Sequence, residues 1–503
     1  MGFWNFLLRP SAGNRNNNSG SLNNVGSWGN VWTSSVSGSN SHNVNFNSSG
    51  ANSNNNNRAN GFTVRCLRDY ICVGWCILAH HERSSISIIN DCWWARMPTL
   101  QELKMNLFTS EEEQNNDALL LGLFEAYRDA RKNKRAKRTQ VAFEFEHEKK
   151  LMRLHKSIVN RRYKPLRSTA FISTKPVIRE VFAAHFQDRV VHHLIFKHLS
   201  PLFERMFTED SYSCRKGKGT LYGANRVYGF IDECSEHYDA DAYVLKLDIQ
   251  GYFYSISKDI LYGTIKKELY KNENFLTIDV NTLDYLIKST IYTDPTQNVK
   301  VYKDDVNWAK LPKSKSLFYA KEGHGLPIGN LTSQLFSNIY MHRFDEYVTK
   351  ELGVKYYGRY VDDFVLVHRD KEYLLSLIEK MKHFLKEKLH LTLHPKKIHM
   401  QHFSKGVAFL GVYMKPYVKY IEKRTKTNFY KLIEEINHEF VHKASSDDYL
   451  HRVRSRINSY LGTMIHCSTY KLRKKVLLGL DDVFYHYFML DEKLSKVTLK
   501  QYY

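Results

Sequence analysis

The run Lys355-Tyr-Tyr-Gly-Arg-Tyr-Val-Asp-Asp-Phe-Val-Leu-Val-His368 sets two adjacent carboxylates, Asp362 and Asp363, among aromatic and β-branched residues. Such residues favour extended chain, so the run predicts a β-hairpin with the acids at its tip. Adjacent carboxylates repel unless a cation neutralises them, and their hard oxygens suit a divalent metal. A third acid has similar flanks in Tyr243-Val-Leu-Lys-Leu-Asp248-Ile-Gln-Gly-Tyr-Phe253. Three acids on two neighbouring strands suit a two-metal site, where the ions clamp the attacking and leaving oxygens of an in-line phosphoryl transfer. An isolated Asp-Asp pair is ordinarily a solvated turn. Here both acid sites lie inside apolar strands, which sets them apart.

A chain of 503 residues can bury a sizeable core and fold as several lobes. Its formal charge is +22. Residues 1–96 hold seven Arg and three acids, a net of +4, leaving +18 on the other 407. That excess implies a polyanionic partner and salt-dependent binding, although ribosome- and membrane-binding proteins share it. Aromatics reach 14%, which suits stacking on bases as well as core packing. Seven Cys without a regular framework argue for a reducing compartment. The best apolar run, Tyr70–Ala79, is about half the ~20 residues a membrane span needs, and the start lacks a secretory pattern. The expectation is a cytoplasmic protein with no membrane partner.

The first sixty residues contain 18 Asn, with abundant Ser and Gly, and no hydrophobic period long enough to bury a face. They predict a mostly disordered extension. Cys66, Cys72, Cys76 and Cys92 suggest zinc only weakly, because the Cys-x3-Cys pair lacks a second half. Helical spacing begins at Leu119–Ala130, followed by the basic run Arg131–Arg138. A second helix is expected near Phe143–Asn160, with Pro165 as its stop. Residues 256–325 hold helices and a Lys-rich loop. Beyond Gly411 the pattern becomes long basic amphipathic helices, near Asn428–His442 and Tyr449–Met464.

Tyr360-Val-Asp-Asp363 with the upstream Asp248…Tyr252-Phe253 resembles the palm of a reverse transcriptase. Other blocks follow in the family's order: Lys175-Pro-Val-Ile-Arg179, Gln187-Asp-Arg-Val-Val-His-His193 and Asp210-Ser-Tyr-Ser-Cys-Arg-Lys-Gly-Lys-Gly219. Then come Leu326-Pro-Ile-Gly-Asn-Leu-Thr-Ser-Gln-Leu335, Leu393-His-Pro-Lys-Lys397 and Phe409-Leu-Gly411. Most bacterial members carry Gln-Gly-x-x-x-Ser-Pro where this chain has Ile328-Gly-Asn-Leu-Thr-Ser-Gln334. That variant resembles the reverse transcriptases of diversity-generating retroelements, which copy a template repeat with errors at adenines to rewrite a target gene. The fold implied is α+β, a right-hand polymerase of fingers, palm and thumb. It has an antiparallel palm sheet and a helical thumb. Expected domains are the extension at 1–96, fingers at 97–240, palm at 241–420 and thumb at 421–503.

The resemblance implies roles residue by residue. Asp248, Asp362 and Asp363, with the Ile249 carbonyl, would hold two Mg2+ ions, for which Mn2+ may substitute. Lys175 and Arg179 match triphosphate contacts, and Phe253 matches the aromatic under the sugar that rejects a 2′-hydroxyl. Arg189 is expected to pair with Asp188 or Asp210. Ile328, Gly329 and Gln334 match the loop around the incoming nucleotide. Lys397 matches the lysine that protonates pyrophosphate, with Lys396 as its rival. Arg215, Lys216 and Lys218 are candidates for template phosphates, and Phe409, Leu410 and Gly411 match the primer grip.

Partners implied are template RNA, the cDNA or primer strand, dNTPs and a small basic oligomeric accessory protein, in a bacterial or phage-encoded setting. Arg9–Arg15, Gly26–Ser35 and Gly61–Cys66 resemble the end of the variable target proteins, so residues 1–68 read as template repeat translated in frame. The function implied is RNA-directed DNA polymerase making adenine-mutagenic cDNA. The alternative is another bacterial reverse transcriptase, of retron, antiphage-defence or intron type.

Overall fold

The structure, a computed structural model, divides into two compact units, Met1–Thr109 and Ser110–Tyr503. It describes backbone at 14–15, 22–23, 29–37, 40–47 and 50–57 of the first unit, and residues 111–132, 138–174, 177–302, 304–443 and 446–500 of the second.

Within the first unit, β1 (Gly29–Ser37), β2 (Asn40–Asn47) and β3 (Gly50–Asn57) form an antiparallel meander. Its registers run to Ser37↔Asn40 and Asn47↔Gly50. Val31, Val44 and Phe46 sit in alternation with polar residues, and Gly38-Ser39 is a hairpin signal that the Asn count obscures. The cysteines weighed for zinc lie outside the described residues.

The second unit opens with helices α1 (Glu111–Arg131), α2 (Arg138–Glu144) and α3 (His147–Val159). The helix expected over Phe143–Asn160 is thus interrupted at 145–146. It ends well before Pro165, where Arg161 turns left-handed (φ 54°) and Arg162 N–H bonds back to the Ser157 carbonyl. Strands β4 (Ser168–Ser173) and β5 (Arg179–Ala183) pair antiparallel, then α4 (Phe186–Glu204) and α5 (Thr220–Cys234) follow.

Strand β6 (Tyr243–Asp248) leads into α6 (Lys258–Lys271) and α7 (Val280–Tyr292). Then β7 (Val299–Val301) returns to pair parallel with β4. The β4–β5 sheet therefore takes its third strand from the span read as palm. Parallel pairing needs a long crossover, so no linear boundary at residue 240 separates the two.

Helix α8 (Leu331–Glu346) precedes the hairpin of β8 (Tyr356–Tyr360) and β9 (Asp363–His368). Helix α9 (Lys371–Leu389) and β10 (His399–His402) complete the palm sheet, whose order is β8-β9-β6-β10, all antiparallel. Alternation along the strands feeds two cores. Leu245, Leu247, Phe364 and Leu366 join the large core with α1, α4, α8 and α9. Val244, Val365 and Val367 join a second core with α5.

A small sheet of β11 (Val407–Phe409), β12 (Val412–Lys415) and β13 (Val418–Ile421) follows. Helices α10 (Lys423–Lys443), α11 (Asp447–Met464), α12 (Tyr470–Leu477) and α13 (Asp482–Tyr487) then pack around a core of their own. A closing hairpin, β14 (Phe488–Leu490) with β15 (Val497–Leu499), was not legible in the sequence. Among the described residues, no helix is long and apolar enough to cross a membrane.

Candidate active site

Hairpin β8–β9 turns in two residues, Val361 and Asp362, with Tyr360 paired to Asp363. Asp363 in turn lies directly opposite Asp248, the last residue of β6. Directly opposed residues point to the same face of a sheet, so these two carboxylates share one face at the strand ends. Asp362 joins them from the turn. Burial, then the charges of Asp363 and Asp248, push the Asp362 carboxyl up to about 7. Burial and the Asp248 charge likewise push Asp363 up to about 6. Crowded carboxylates in a half-buried site resist ionising together, and a multivalent cation removes that penalty.

Lys397 Nζ donates to Asp248 Oδ2 at 2.7 Å. It therefore already puts a cation on these acids, which distinguishes it from its neighbour Lys396. Burial pulls the Lys397 ammonium down, but the Asp248 hydrogen bond and all three carboxylates outweigh it, and the net shift is upward. The depressed pKa sought for a general acid is absent in this arrangement. Among the described residues, no three or more His, Cys, Asp or Glu side chains are arranged to hold a metal ion by themselves. An open cluster of carboxylates that accepts an ammonium fits a divalent ion that also draws ligands from substrate phosphates. The Ile249 side chain is buried behind Asp248.

The segment after Asp248 is pinned from two sides. Gln250 N–H bonds to the Thr392 carbonyl, and His394 N–H bonds to the Asp248 carbonyl. Gly251, at φ 57°, opens the helical turn Tyr252–Ser255. Tyr252 Oη donates to the Ser337 carbonyl of α8, and half-buried Phe253 meets the Tyr252 ring edge-on at 5.3 Å.

Ile328 and Gly329 form the approach to α8. Phe182 N–H of β5 donates to the Ile328 carbonyl at 2.8 Å. Gly329 has φ 123°, and a Cβ there would stand 2.7 Å from the Phe182 carbonyl, so only glycine fits. Ile328 is half-buried, while Gln334, in the first turn of α8, is exposed. Arg179 is exposed at the start of β5, and Lys175 lies outside the described residues.

The basic loop departs from expectation. Arg215 is 5% exposed, paired to Glu204 at 2.8 Å and donating to the Thr208 and Ser211 carbonyls. Lys218 pairs with Glu209 at 2.9 Å. Both hold the loop to its own framework, and of the three only Lys216 stands exposed. Arg189 pairs with neither expected acid. Asp210 takes a two-pronged bond from Arg226, and Asp188 accepts from Tyr163 Oη and Leu166 N–H, while Arg189 lies over the Phe186 ring. Each acid found a nearer donor.

Phe409 is buried, with Lys246 over its ring at 5.8 Å, so its side chain belongs to the core. Leu410 and Gly411, at φ 51° and 87°, make the two-residue turn between β11 and β12.

Sequence reasoning passed over Arg359 and Asp345. Both are fully buried and joined by two bonds of 2.7 and 2.6 Å. The Arg three residues before Asp362, deep in an apolar strand, was the available signal.

An antiparallel palm sheet with three carboxylates gathered at adjoining strand ends, a β4–β5 sheet and a helical thumb give the second unit the architecture of a right-hand polymerase. Residues 177–414 match the family described as reverse transcriptase (RNA-dependent DNA polymerase). That match supports RNA-directed DNA polymerase activity, and members of the matched family generally use divalent metal ions. Protein YkfC of Escherichia coli (strain K12) is 22% identical, covering 51% of this chain and 69% of that protein. Among solved structures, telomerase from Candida albicans in complex with a telomeric RNA fragment aligns with a TM-score of 0.39 at 11% identity. The alignment covers 65% of this chain and 61% of that one. Apo telomerase from Candida tropicalis aligns at 0.39 and 12%, covering 62% and 58%. The chain thus spans about three-fifths of the length of these telomerase chains.

Proposed function

We propose that this protein is an RNA-directed DNA polymerase of the diversity-generating type, copying a template RNA into cDNA with errors at adenines. Asp248, Asp362 and Asp363 would hold Mg2+, which would neutralise phosphate charge and activate the primer 3′-hydroxyl. Lys397, bonded to Asp248, would give a proton to departing pyrophosphate. Phe253, in the turn after Asp248, would exclude a 2′-hydroxyl, and Arg179 and exposed Lys216 would meet phosphates.

One observation carries the mutagenic reading. Ile328 occupies the loop tied to β5 by its carbonyl, and its side chain offers shape where Gln would offer a hydrogen-bonding amide. Loss of one such bond is worth about 1 kcal/mol, a several-fold relaxation of discrimination. Sequencing cDNA made on one template by wild type and by Ile328→Gln tests this. The expected outcome is that Ile328→Gln lowers misincorporation opposite template adenine more than opposite the other three bases. An unchanged adenine error rate would mean that the infidelity lives elsewhere, with Gln334 the next candidate.

A further inference from the structure

The catalytic turn contains an unusual residue. Val361 has φ 57°, in the left-handed region that β-branched side chains avoid, yet it sits between the paired ends of β8 and β9. Something must hold it there. Arg359 Nη1 donates to the Val361 carbonyl at 2.9 Å. The same guanidinium grips Asp345, in the last turn of α8, through Nε and Nη2, and Nη2 also reaches Ser211 Oγ at 3.3 Å. Tyr357 Oη adds a third bond to Asp345 at 2.7 Å. The Arg359 backbone is fixed as well, its N–H donating to the Asp210 carbonyl and its carbonyl accepting from Tyr212 N–H.

We propose that Arg359 and Asp345 are a positioning pair that holds Val361 left-handed and so presents Asp362 and Asp363 to Asp248. A buried ion pair is a poor device for stability, since apolar residues of equal volume do as well or better. Its contact with the turn gives it a task that apolar residues cannot perform. Four of the five guanidinium donors are used, and a lysine could not both grip Asp345 with two prongs and reach the Val361 carbonyl. Asp345 also links this turn to α8, the helix whose opposite end begins at the Ile328–Gly329 loop. The pair therefore fixes the acids relative to the element that approaches the nucleotide.

This rests on the polymerase reading, and a wild-type chain unable to extend a primer would fail that reading, not this one. The test is a double-mutant cycle on the full chain. Arg359→Met with Asp345→Asn removes the pair without leaving a bare buried charge. In the Val361 background the pair variant is expected to lose at least about tenfold in kcat, with KM for dNTP within about twofold. In the Val361→Gly background, where glycine adopts the left-handed conformation freely, the loss should shrink below about threefold. Arg359→Lys, which keeps a cation on Asp345, serves if the pair variant does not fold. It should show the same relief in the glycine background. Equal losses in both backgrounds, or a lower Tm with kcat unchanged, would overturn the proposal.

Discussion

Asp248, Asp362 and Asp363 crowd like charges at adjoining strand ends, whereas Glu204, Glu209 and Asp210 each face a base of their own. Arg215, Lys218 and Arg226 close those pairs at 2.8, 2.9 and 2.6 Å. The difference shows in the acids. The hydrogen bond from Lys218 holds the Glu209 carboxyl below its ordinary value, while burial and mutual repulsion lift Asp362 and Asp363 above theirs. A satisfied cluster builds a loop. A cluster left with one lysine for three acids has capacity for a cation from outside, which is how charge density becomes a functional site.

Neutralising the crowded cluster should have the largest effect. Asp248→Ala or Asp362→Ala is expected to reduce primer extension by about a thousandfold, because charge stabilisation at the phosphorus is lost. RNA binding should persist in a filter-binding assay. Extension above a few per cent of wild type would remove these acids from the chemistry. Lys397→Met should cost about a hundredfold in kcat, in the range of positioned proton donors, with little change in KM for template. A matching loss in Lys396→Met, with Lys397→Met unimpaired, would reverse the assignment.

The raised carboxyls also make metal-free stability depend on pH. Each binds its proton more tightly folded than unfolded, from an ordinary 3.8 to about 7 for Asp362 and about 6 for Asp363. Their contribution is fully present below about pH 4 and is lost as pH rises through 6 to 7. Saturating Mg2+ should therefore raise Tm by a few degrees more near pH 8 than near pH 5. Asp362→Asn should narrow that difference, and calorimetry in both buffers checks it.

The smallest effect on catalysis belongs to the satisfied cluster. Arg215→Ala is expected to lower stability by about 1–3 kcal/mol through its charged hydrogen bonds. The slope of RNA affinity against salt should not change. A shallower slope would return Arg215 to the nucleic-acid surface.

Much of the site was legible because its signals are local. The hairpin at Tyr356–His368 follows from β-branched and aromatic residues around a two-residue turn. The helices at 423–443 and 447–464 follow from a period that any window of the chain displays. The basic loop was read as facing phosphate because a Gly-spaced run of Arg and Lys looks alike in water and in a framework. Whether Arg215 faces phosphate or Glu204 depends on chain eleven residues away folding back upon it.

Sequence by itself determined the strands that carry the three acids, their order and the apolar alternation that buries both faces of the sheet. These are properties of neighbouring residues and of side-chain period. Tertiary structure alone decided that Asp363 stands opposite Asp248, that Lys397 rather than Lys396 reaches Asp248, and that Arg359 meets both Asp345 and the Val361 carbonyl. Each of those contacts joins residues brought together by sheet register or helix packing. Register and packing are set by the whole core, which no local stretch of sequence contains.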